Sequence, residues 1–243
     1  METSYFWETE YTLPPDAPGF SHFCPGHIVW LGSAVLLCAV ICAVYRRLRE
    51  NERLTFRRVL AVLLICDELF KYGIAIYSGD FRPSFLPLHL CSINIFLIAA
   101  DAIKPNELLQ EVLYAVCLPG AFFALAFPGW NYLPIWNALC IHSFTAHIML
   151  LLYPFLRISG GFQPSFKRFI RTLPAALVVT VLVACFNMAF GTNFMFLARA
   201  GEGNPLSWFE RFLGSQGYLL GIPLIAAVCW AVLYGVPKLR EKT

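Results

Sequence analysis

Long apolar stretches alternate with short polar segments along almost the whole chain. A helix needs about 20 mostly apolar residues to cross the hydrocarbon core of a bilayer. Seven stretches reach or approach that length, and they cover residues 27–45, 58–78, 86–102, 107–127, 134–156, 168–190 and 216–237. Strand patterns are absent, and an open sheet would leave unpaired backbone edges in lipid. The pattern predicts an all-α polytopic membrane bundle of about seven transmembrane helices, forming one integral membrane domain over residues 1–243.

The segments between the predicted helices are short, and two outer segments are more distinctive. Residues 1–26 are acidic, aromatic and Pro-rich, and they lack the basic start of a cleavable signal peptide. The first apolar stretch is therefore expected to be retained as a helix. Residues 191–215 form the longest connection and carry Trp208 and Phe212 among charged residues. We expect this connection to hold a short helix that lies in the membrane interface.

Composition and charge agree with a membrane protein and predict its orientation. The chain is 58% hydrophobic and only 14% charged, whereas a soluble domain has about 25% charged residues. With seven spans, fourteen Lys and Arg residues fall on one side of the membrane, at positions 46, 47, 49, 53, 57, 58, 104, 157, 167, 168, 171, 238, 240 and 242. Arg82, Arg199 and Arg211 fall on the other side. The positive-inside rule then predicts an extracytoplasmic N-terminus and a cytoplasmic C-terminus in a multi-pass protein. No nucleic-acid partner is expected.

Nine cysteines are scattered along the chain without a CxxC pair, so no zinc or redox motif is indicated. We expect no metal and no cofactor. Most of the cysteines fall in apolar stretches, where a cysteine usually behaves as a small hydrophobic residue. Cys91 differs because it lies in the segment LPLHLCS, residues 86–92, directly after two prolines and His89. On a helix starting at residue 86, Pro87 would lie in the first turn, where its missing amide proton costs little.

Several polar residues lie inside the predicted spans. An ionised side chain at mid-bilayer costs about 2.5–3.5 kcal/mol on insertion scales, so each should find a partner. The second span carries Asp67, Glu68 and Lys71, and their spacing lets the lysine meet either carboxylate. These three residues form a neutralised structural pair, or they act as a proton relay or a contact for a substrate headgroup. The sequence leaves both interpretations open.

The third and fifth spans combine a thiol with imidazoles. His89 and Cys91 are two residues apart and would point about 200° apart on one helix, so Cys91 shares its face with Asn94 instead. His142 and His147 are five residues apart and lie about 140° apart around the fifth span. Either histidine is a satisfied core residue or a partner for the thiol.

Two asparagines end the sixth span. Asn187 and Asn193 lie on either side of Gly191. A buried asparagine amide can donate to a developing oxyanion, and it can equally hold helices together by hydrogen bonds.

A buried thiol and an imidazole together suit acyl transfer. A thiol has an ordinary pKa of about 8.5 and is a poor nucleophile in apolar surroundings. A neutral histidine within hydrogen-bond reach removes the proton as the sulfur attacks. The thiolate would then attack an ester carbonyl and form a thioester, and a second hydroxyl would accept the acyl group. Exclusion of bulk water favours transfer over hydrolysis.

Four blocks also resemble a known family. They read LPLHLCS (86–92), ELLQEVLYAVCLPGAFFALAFP (107–128), FTAHIML (144–150) and NMAFGTNFMFL (187–197). They are similar to blocks of the YwaF-like integral membrane proteins, a family related to the eukaryotic transmembrane (TMEM-type) phospholipid acyltransferases. The similarity keeps block order and spacing over about residues 60–220.

The resemblance implies a phospholipid acyltransferase that does not use coenzyme A and moves acyl chains between membrane phospholipids. It implies that Cys91 is the acyl-accepting nucleophile and that His147, or the nearby His142, is the base. The candidate substrate-binding residues are His89, Asn94, Asn187, Asn193, Asp67, Glu68 and Lys71. The alternative is a seven-span small-molecule binding protein, sensor or transporter, in which the same polar residues line a pocket or pore.

Overall fold

The computed structural model describes residues 5–201 and 203–240, and the side chains up to residue 235. Within those residues the protein is helical, with no strand. Residues 1–4 of the predicted outer N-terminal segment and Lys242 of the predicted tail lie outside the described residues. Lys238 and Arg240 belong to the last helix, but their side chains are not among those described.

Ten α-helices follow one another in the described part. They are α1 (Pro25–Arg47), α2 (Glu50–Tyr77), α3 (Leu90–Ile103), α4 (Glu107–Val112), α5 (Leu118–Ala126), α6 (Ala138–Ser159), α7 (Phe166–Ile170), α8 (Leu173–Phe190), α9 (Leu206–Gly217) and α10 (Gly221–Arg240). A π-helical turn, Leu113–Cys117, joins α4 to α5. Short 3₁₀ turns cover Tyr5–Trp7, Pro83–Phe85, Phe194–Phe196 and Tyr218–Leu220.

Five helical segments are long and apolar enough to cross a membrane. They are Pro25–Arg47, Glu107–Ala126, Ala138–Ser159, Leu173–Phe190 and Leu206–Gly235. The second predicted span corresponds to α2, which has 28 residues but begins with a charged turn. The third corresponds to α3, which has only 14 residues. Length and composition therefore support five crossings directly, and the count of seven stays a prediction.

The third predicted span, residues 86–102, begins as extended backbone and becomes helical only further along. Leu86 is extended, with ψ 150°, because the residue before a proline is driven out of the helical region. The helix begins only at Leu90, with His89 as its extended N-cap residue. Pro87 therefore precedes the helix and is not in its first turn. Because His89 is outside α3, the predicted angle of 200° between His89 and Cys91 does not apply.

The central helix of the bundle is α6. It packs against α1, α2, α3 and α5, and its buried side chains include Phe144, Leu150, Tyr153 and Leu156. By contrast, α8 buries only Val183 and Asn187, so most of its apolar surface is available to lipid. The fold thus has a packed centre with at least one loosely attached peripheral helix.

Arginines mark one end of the bundle, which we call the basic end. The C-terminus of α1 meets the N-terminus of α2 there, since Arg53 donates to the carbonyl of Arg46. The C-terminus of α3 is also there, because Nε of Arg58 donates to the carbonyl of Ala102. The C-terminus of α6 joins them through Arg157.

A buried carboxylate organises the basic end. Asp101 is fully buried. It accepts hydrogen bonds from the Tyr153 hydroxyl at 2.9 Å, the Gln110 amide at 3.0 Å and the Asn106 backbone at 3.0 Å. Nε of Arg157 lies 3.4 Å from its Oδ2 atom. This network ties α3, α4 and α6 together.

Removal of this carboxylate should destabilise the protein strongly. Asp101→Ala leaves the Arg157 guanidinium without its counterion, and breaking a buried pair from one side costs about 3–5 kcal/mol. Glu107→Ala is the matched control. The Glu107 side chain is 72% exposed, and its carboxylate pairs with Arg168 at the surface. An exposed pair contributes about 0–1 kcal/mol. Thermal unfolding in detergent should show a much lower midpoint for Asp101→Ala only, and equal shifts would contradict the assignment.

Candidate functional site

The polar residues of the predicted spans gather in the half of the bundle away from the basic end. They come from the second half of α2, the start of α3 and the first half of α6, three helices that pack against one another. Glu68 is central to this group. Its carboxylate is buried and lies close enough to interact electrostatically with Cys91, His89, His142 and His147.

Helix α2 supplies a neutralised acid–base pair. Nζ of Lys71 lies 2.5 Å from Oε1 of Glu68. The Tyr72 hydroxyl donates to the same oxygen at 2.8 Å. The predicted pairing between the lysine and a carboxylate is therefore present in the structure. Lys71 also lies close enough to Cys91 and His89 to act on both through its charge.

The second carboxylate of α2 faces a histidine of α6. Oδ2 of Asp67 lies 2.9 Å from Nδ1 of His142. The pair is close but not aligned as a hydrogen bond, since both atoms are buried without an aligned partner in the described part. The Thr145 hydroxyl lies 3.3 Å from the other oxygen, Oδ1. Asp67 and His142 thus form a couple that joins α2 to α6.

The second histidine of α6 has a different environment. Nδ1 of His147 lies 2.6 Å from the carbonyl oxygen of Ser143. A carbonyl only accepts, so Nδ1 carries the proton and Nε2 keeps a free lone pair. The ring stacks on Trp130, with centroids 4.9 Å apart and planes inclined by 23°. His147 is therefore held rigidly as the tautomer that can accept a proton.

His27 shows what a purely structural histidine looks like in this protein. It is fully buried. Its Nδ1 accepts from the amide of Phe23 at 2.8 Å, and its Nε2 donates to the carbonyl of Leu125 at 2.8 Å. Both nitrogens are engaged with backbone, so this ring has no lone pair left for chemistry. His147 uses one nitrogen in the same way and keeps the other.

Cys91 lies at the second position of α3. The first backbone amides of a helix have no partner inside the helix, and the His89 side chain does not cap them. The amides of Cys91 and Ser92 lie beside the sulfur. Cys91 is half-buried and packs at the edge of the main core cluster. The late start of α3 thus places the thiol at the positive end of a helix dipole.

The thiol and the imidazoles are neighbours, but they are not directly bonded in this structure. Among the described residues, no hydrogen bond joins the Cys91 sulfur to a histidine ring. The electrostatic neighbours of Cys91 and of His89 include Glu68 and Lys71 but not Asp67. His147 lies close to His89, which is near Cys91 in sequence.

A short turn covers His89. The ring lies 4.9 Å from that of Phe194, edge to face, and its Nδ1 faces the amide of Met195 at 3.4 Å. Met195 and Phe196 have φ values of 56° and 55°, in the left-handed region that is unfavourable for residues other than glycine. The surrounding contacts must hold this turn in place.

Asn187 and Asn193 provide those contacts. The Asn187 amide donates to the carbonyl of Phe194 at 2.9 Å and accepts from its amide at 2.8 Å. Oδ1 of Asn193 accepts from the backbone amides of Ala198 and Arg199, each at 3.0 Å. Neither asparagine contacts the polar cluster directly. The structure places both as anchors of the turn above His89.

Asn187→Ala should loosen this turn. Its side chain makes two hydrogen bonds to the Phe194 backbone, and a lost buried partner costs about 1–3 kcal/mol. Amide exchange over residues 194–197, followed by mass spectrometry, should accelerate about tenfold or more. Thr180→Ala is the control, because this exposed threonine bonds only to the carbonyl of Ala176 in its own helix. Unchanged exchange in the asparagine variant would exclude the anchoring role.

The last predicted site residue, Asn94, is one helical turn after Cys91 and is buried. Its Oδ1 atom has no hydrogen-bond partner in the described part of the chain. Within those residues no group of three or more His, Cys, Asp and Glu side chains is arranged to hold a metal ion.

Two contacts of the site were not predicted. Tyr72 follows Glu68 by four residues, a spacing that could have indicated the contact. Trp130 lies in the loop between α5 and α6, and its stacking on His147 has no signal in the sequence.

The comparisons with known proteins give one match. A sequence profile described as the TMEM164 family matches residues 21–234, which include every candidate site residue. No curated protein and no solved structure matches the chain.

Proposed function

The chain belongs to the TMEM164 family and is a multi-pass membrane protein, and from this premise we propose that it is an acyltransferase for phospholipids. In this proposal acyl chains move between membrane phospholipids through a thioester on Cys91. The observation that carries the proposal is the gathering of Cys91, His147 and the Glu68–Lys71 pair where α2, α3 and α6 pack against one another.

Three features of this cluster would stabilise the negative charge that develops on the Cys91 sulfur as its proton is removed. The sulfur lies at the N-terminus of α3, where the helix dipole favours negative charge. The backbone amides of Cys91 and Ser92 lie beside it. The Lys71 ammonium group is close enough to stabilise the same charge. These contacts oppose the burial that would otherwise keep the thiol protonated.

His147 is the proposed base. Its Nε2 atom has the free lone pair, because Nδ1 is committed to the carbonyl of Ser143. Stacking on Trp130 fixes the ring plane. The direct hydrogen bond to the sulfur would form when substrate is bound, as catalytic contacts often tighten only in the complex. His142 serves as a positioning residue that holds α6 against α2 through Asp67.

The reaction then proceeds in two balanced halves. Nε2 of His147 takes the thiol proton while the sulfur attacks an ester carbonyl of the donor phospholipid. The ester bond breaks, the released lysophospholipid oxygen takes the proton back, and the acyl group stays on Cys91 as a thioester. A hydroxyl of a second lysophospholipid next gives its proton to Nε2 and attacks the thioester. The acyl–sulfur bond breaks and the thiol is restored.

Lipid can reach this site from the side of the bundle. Cys91 is only half-buried, and its neighbour Leu90 is exposed at the bundle surface. In the proposed topology α2 and α3 also cross the membrane, giving seven spans with the basic end in the cytoplasm. The cluster then lies in the outer half of the bilayer. Lys71 and His89 would contact the headgroup region of the bound lipid, and Asn94 would offer its unpartnered Oδ1 atom.

Trapping of the acyl intermediate tests this function directly. Purified protein in vesicles would be incubated with a phospholipid that carries an isotope-labelled acyl chain and no acceptor. Digestion and mass spectrometry should find the label on the peptide that contains Cys91, and neutral hydroxylamine should remove it. A label on another residue, or none during active exchange, would contradict the thioester mechanism. A transporter or binding protein would leave the acyl chains of the vesicle unchanged.

A further inference from the structure

A cavity opens at the basic end, far from the Cys91 cluster. Its volume is about 400 Å³, at the low end of the range of small-ligand pockets. Gln110, Arg157, Gly160, Gln163 and Arg168 are among the residues that line it. The wall is mostly polar, although the cavity lies between the ends of apolar helices. A void left by imperfect packing between apolar helices would instead be lined by apolar side chains.

Each of the two arginines of this cavity has a buried carboxylate behind it. Nε of Arg168 donates to Glu111 at 3.0 Å, and its Nη2 atom donates to the carbonyl of Gln163. Arg157 is backed by Asp101, with 3.4 Å between Nε and the carboxylate. Both carboxylates are fully buried behind the guanidinium groups. An anion entering the cavity would therefore meet Arg168, which hydrogen bonds hold in place, and Arg157, which is paired with Asp101 through charge.

Arg157 has unused hydrogen-bonding capacity. Its Nε atom faces Asp101 without an aligned hydrogen bond, and within the described residues its two terminal nitrogens donate no hydrogen bond. A guanidinium group has five donors in a planar fork that matches the oxygens of a phosphate group. The carboxylate of Glu107 also lines the cavity, but its side chain is 72% exposed at the rim. This exposure lets it move away from an entering anion.

We propose that this cavity is a binding site for a phosphate group, with Arg157 as its main ligand and Arg168 in support. The site shares no residue with the Cys91 cluster, so it is independent of the proposed acyl transfer. The phosphate could belong to a lipid headgroup of the adjoining leaflet, since basic pockets between membrane helices bind such headgroups. It could equally belong to a soluble phosphate compound, because the cavity is open at the end of the bundle.

Ligand-induced thermal stabilisation of the full chain in detergent tests the site. Ligands that bind only the folded state raise the unfolding midpoint in a saturable manner. The probes are inorganic phosphate and a short-chain phosphatidic acid, with the matching diacylglycerol as the phosphate-free lipid. Arg157→Lys keeps a cation beside Asp101 but loses the planar fork. Gln163→Glu places a negative charge in the cavity without touching the buried network, because only the backbone carbonyl of Gln163 is used.

Gln216→Glu is the matched control, since Gln216 is an exposed residue of α9 that does not line the cavity. We expect at least about tenfold weaker phosphate binding in Arg157→Lys and Gln163→Glu, with no change in the control. Saturation by inorganic phosphate alone would identify a soluble ligand, and saturation by phosphatidic acid alone a lipid headgroup. The proposal is overturned if neither probe stabilises the wild-type protein, or if Gln163→Glu responds to both as the wild type does.

Discussion

Cys91→Ser is expected to lower the rate of acyl exchange between phospholipids by about 10³-fold or more while the protein still folds. A serine hydroxyl is far less acidic than a thiol, so the same surroundings cannot convert it into an anion. The serine side chain is only slightly smaller than that of cysteine, and Cys91 lies at the edge of the core. The substitution should therefore leave the packing of the core intact. The measurement uses purified protein in vesicles, a labelled donor phospholipid and an unlabelled lysophospholipid acceptor.

Cys66→Ser is the matched control for this experiment. Cys66 is exposed on the outer surface of α2, directly before Asp67 in sequence. The same chemical change at that position should leave exchange within about twofold of the wild type. Exchange that continues at a normal rate in Cys91→Ser would exclude the nucleophile role. An equal loss of exchange activity in both variants would mean that the two cysteines contribute only to the stability of the protein.

His147→Ala and His142→Ala should differ in kind as well as in size. Loss of a general base lowers the rate by about 10²–10⁴-fold, and we expect this for His147→Ala, with a loss of stability as well because the buried ring that stacks on Trp130 is removed. Cys91 should then accept acyl groups only at high pH, where hydroxide can remove the thiol proton. The His142→Ala variant should retain more activity and lose stability, because Asp67 is left without its partner across the helix interface.

Two measurements on both variants separate these expectations: the rate of acyl exchange as a function of pH, and the midpoint of thermal unfolding. Rescue at high pH should be seen for His147→Ala and not for His142→Ala. His142→Gln, which keeps a polar side chain near Asp67, should recover part of the stability. Equal and mild rate losses in the two alanine variants would mean that neither histidine is the base. A larger rate loss with pH rescue in His142→Ala would reverse the assignment.

The helices were largely predictable because the bilayer requires long apolar stretches. The predicted spans 27–45 and 107–127 correspond closely to Pro25–Arg47 and Glu107–Ala126. The placement of Pro87 in a first helical turn was wrong, because α3 begins only at Leu90 and hydrophobicity alone does not show where prolines prevent helical backbone. The predicted interfacial helix in 191–215 has a counterpart in α9, although its position in the membrane stays a prediction. The cavity at the basic end had no sequence signal, because its residues come from separate segments.

The sequence by itself determined the chemistry that is present: a mostly apolar helical chain whose predicted spans contain Cys91, three histidines (His89, His142 and His147) and the charged residues Asp67, Glu68 and Lys71. It did so because burial of polar groups in lipid is costly, so their occurrence there is informative without coordinates. Only the tertiary structure decided which of them meet. The tautomer of His147, the Asp67–His142 couple and the place of Cys91 at a helix N-terminus depend on how α2, α3 and α6 pack. Contacts between distant segments are fixed by three-dimensional packing, which has no local signature in the chain.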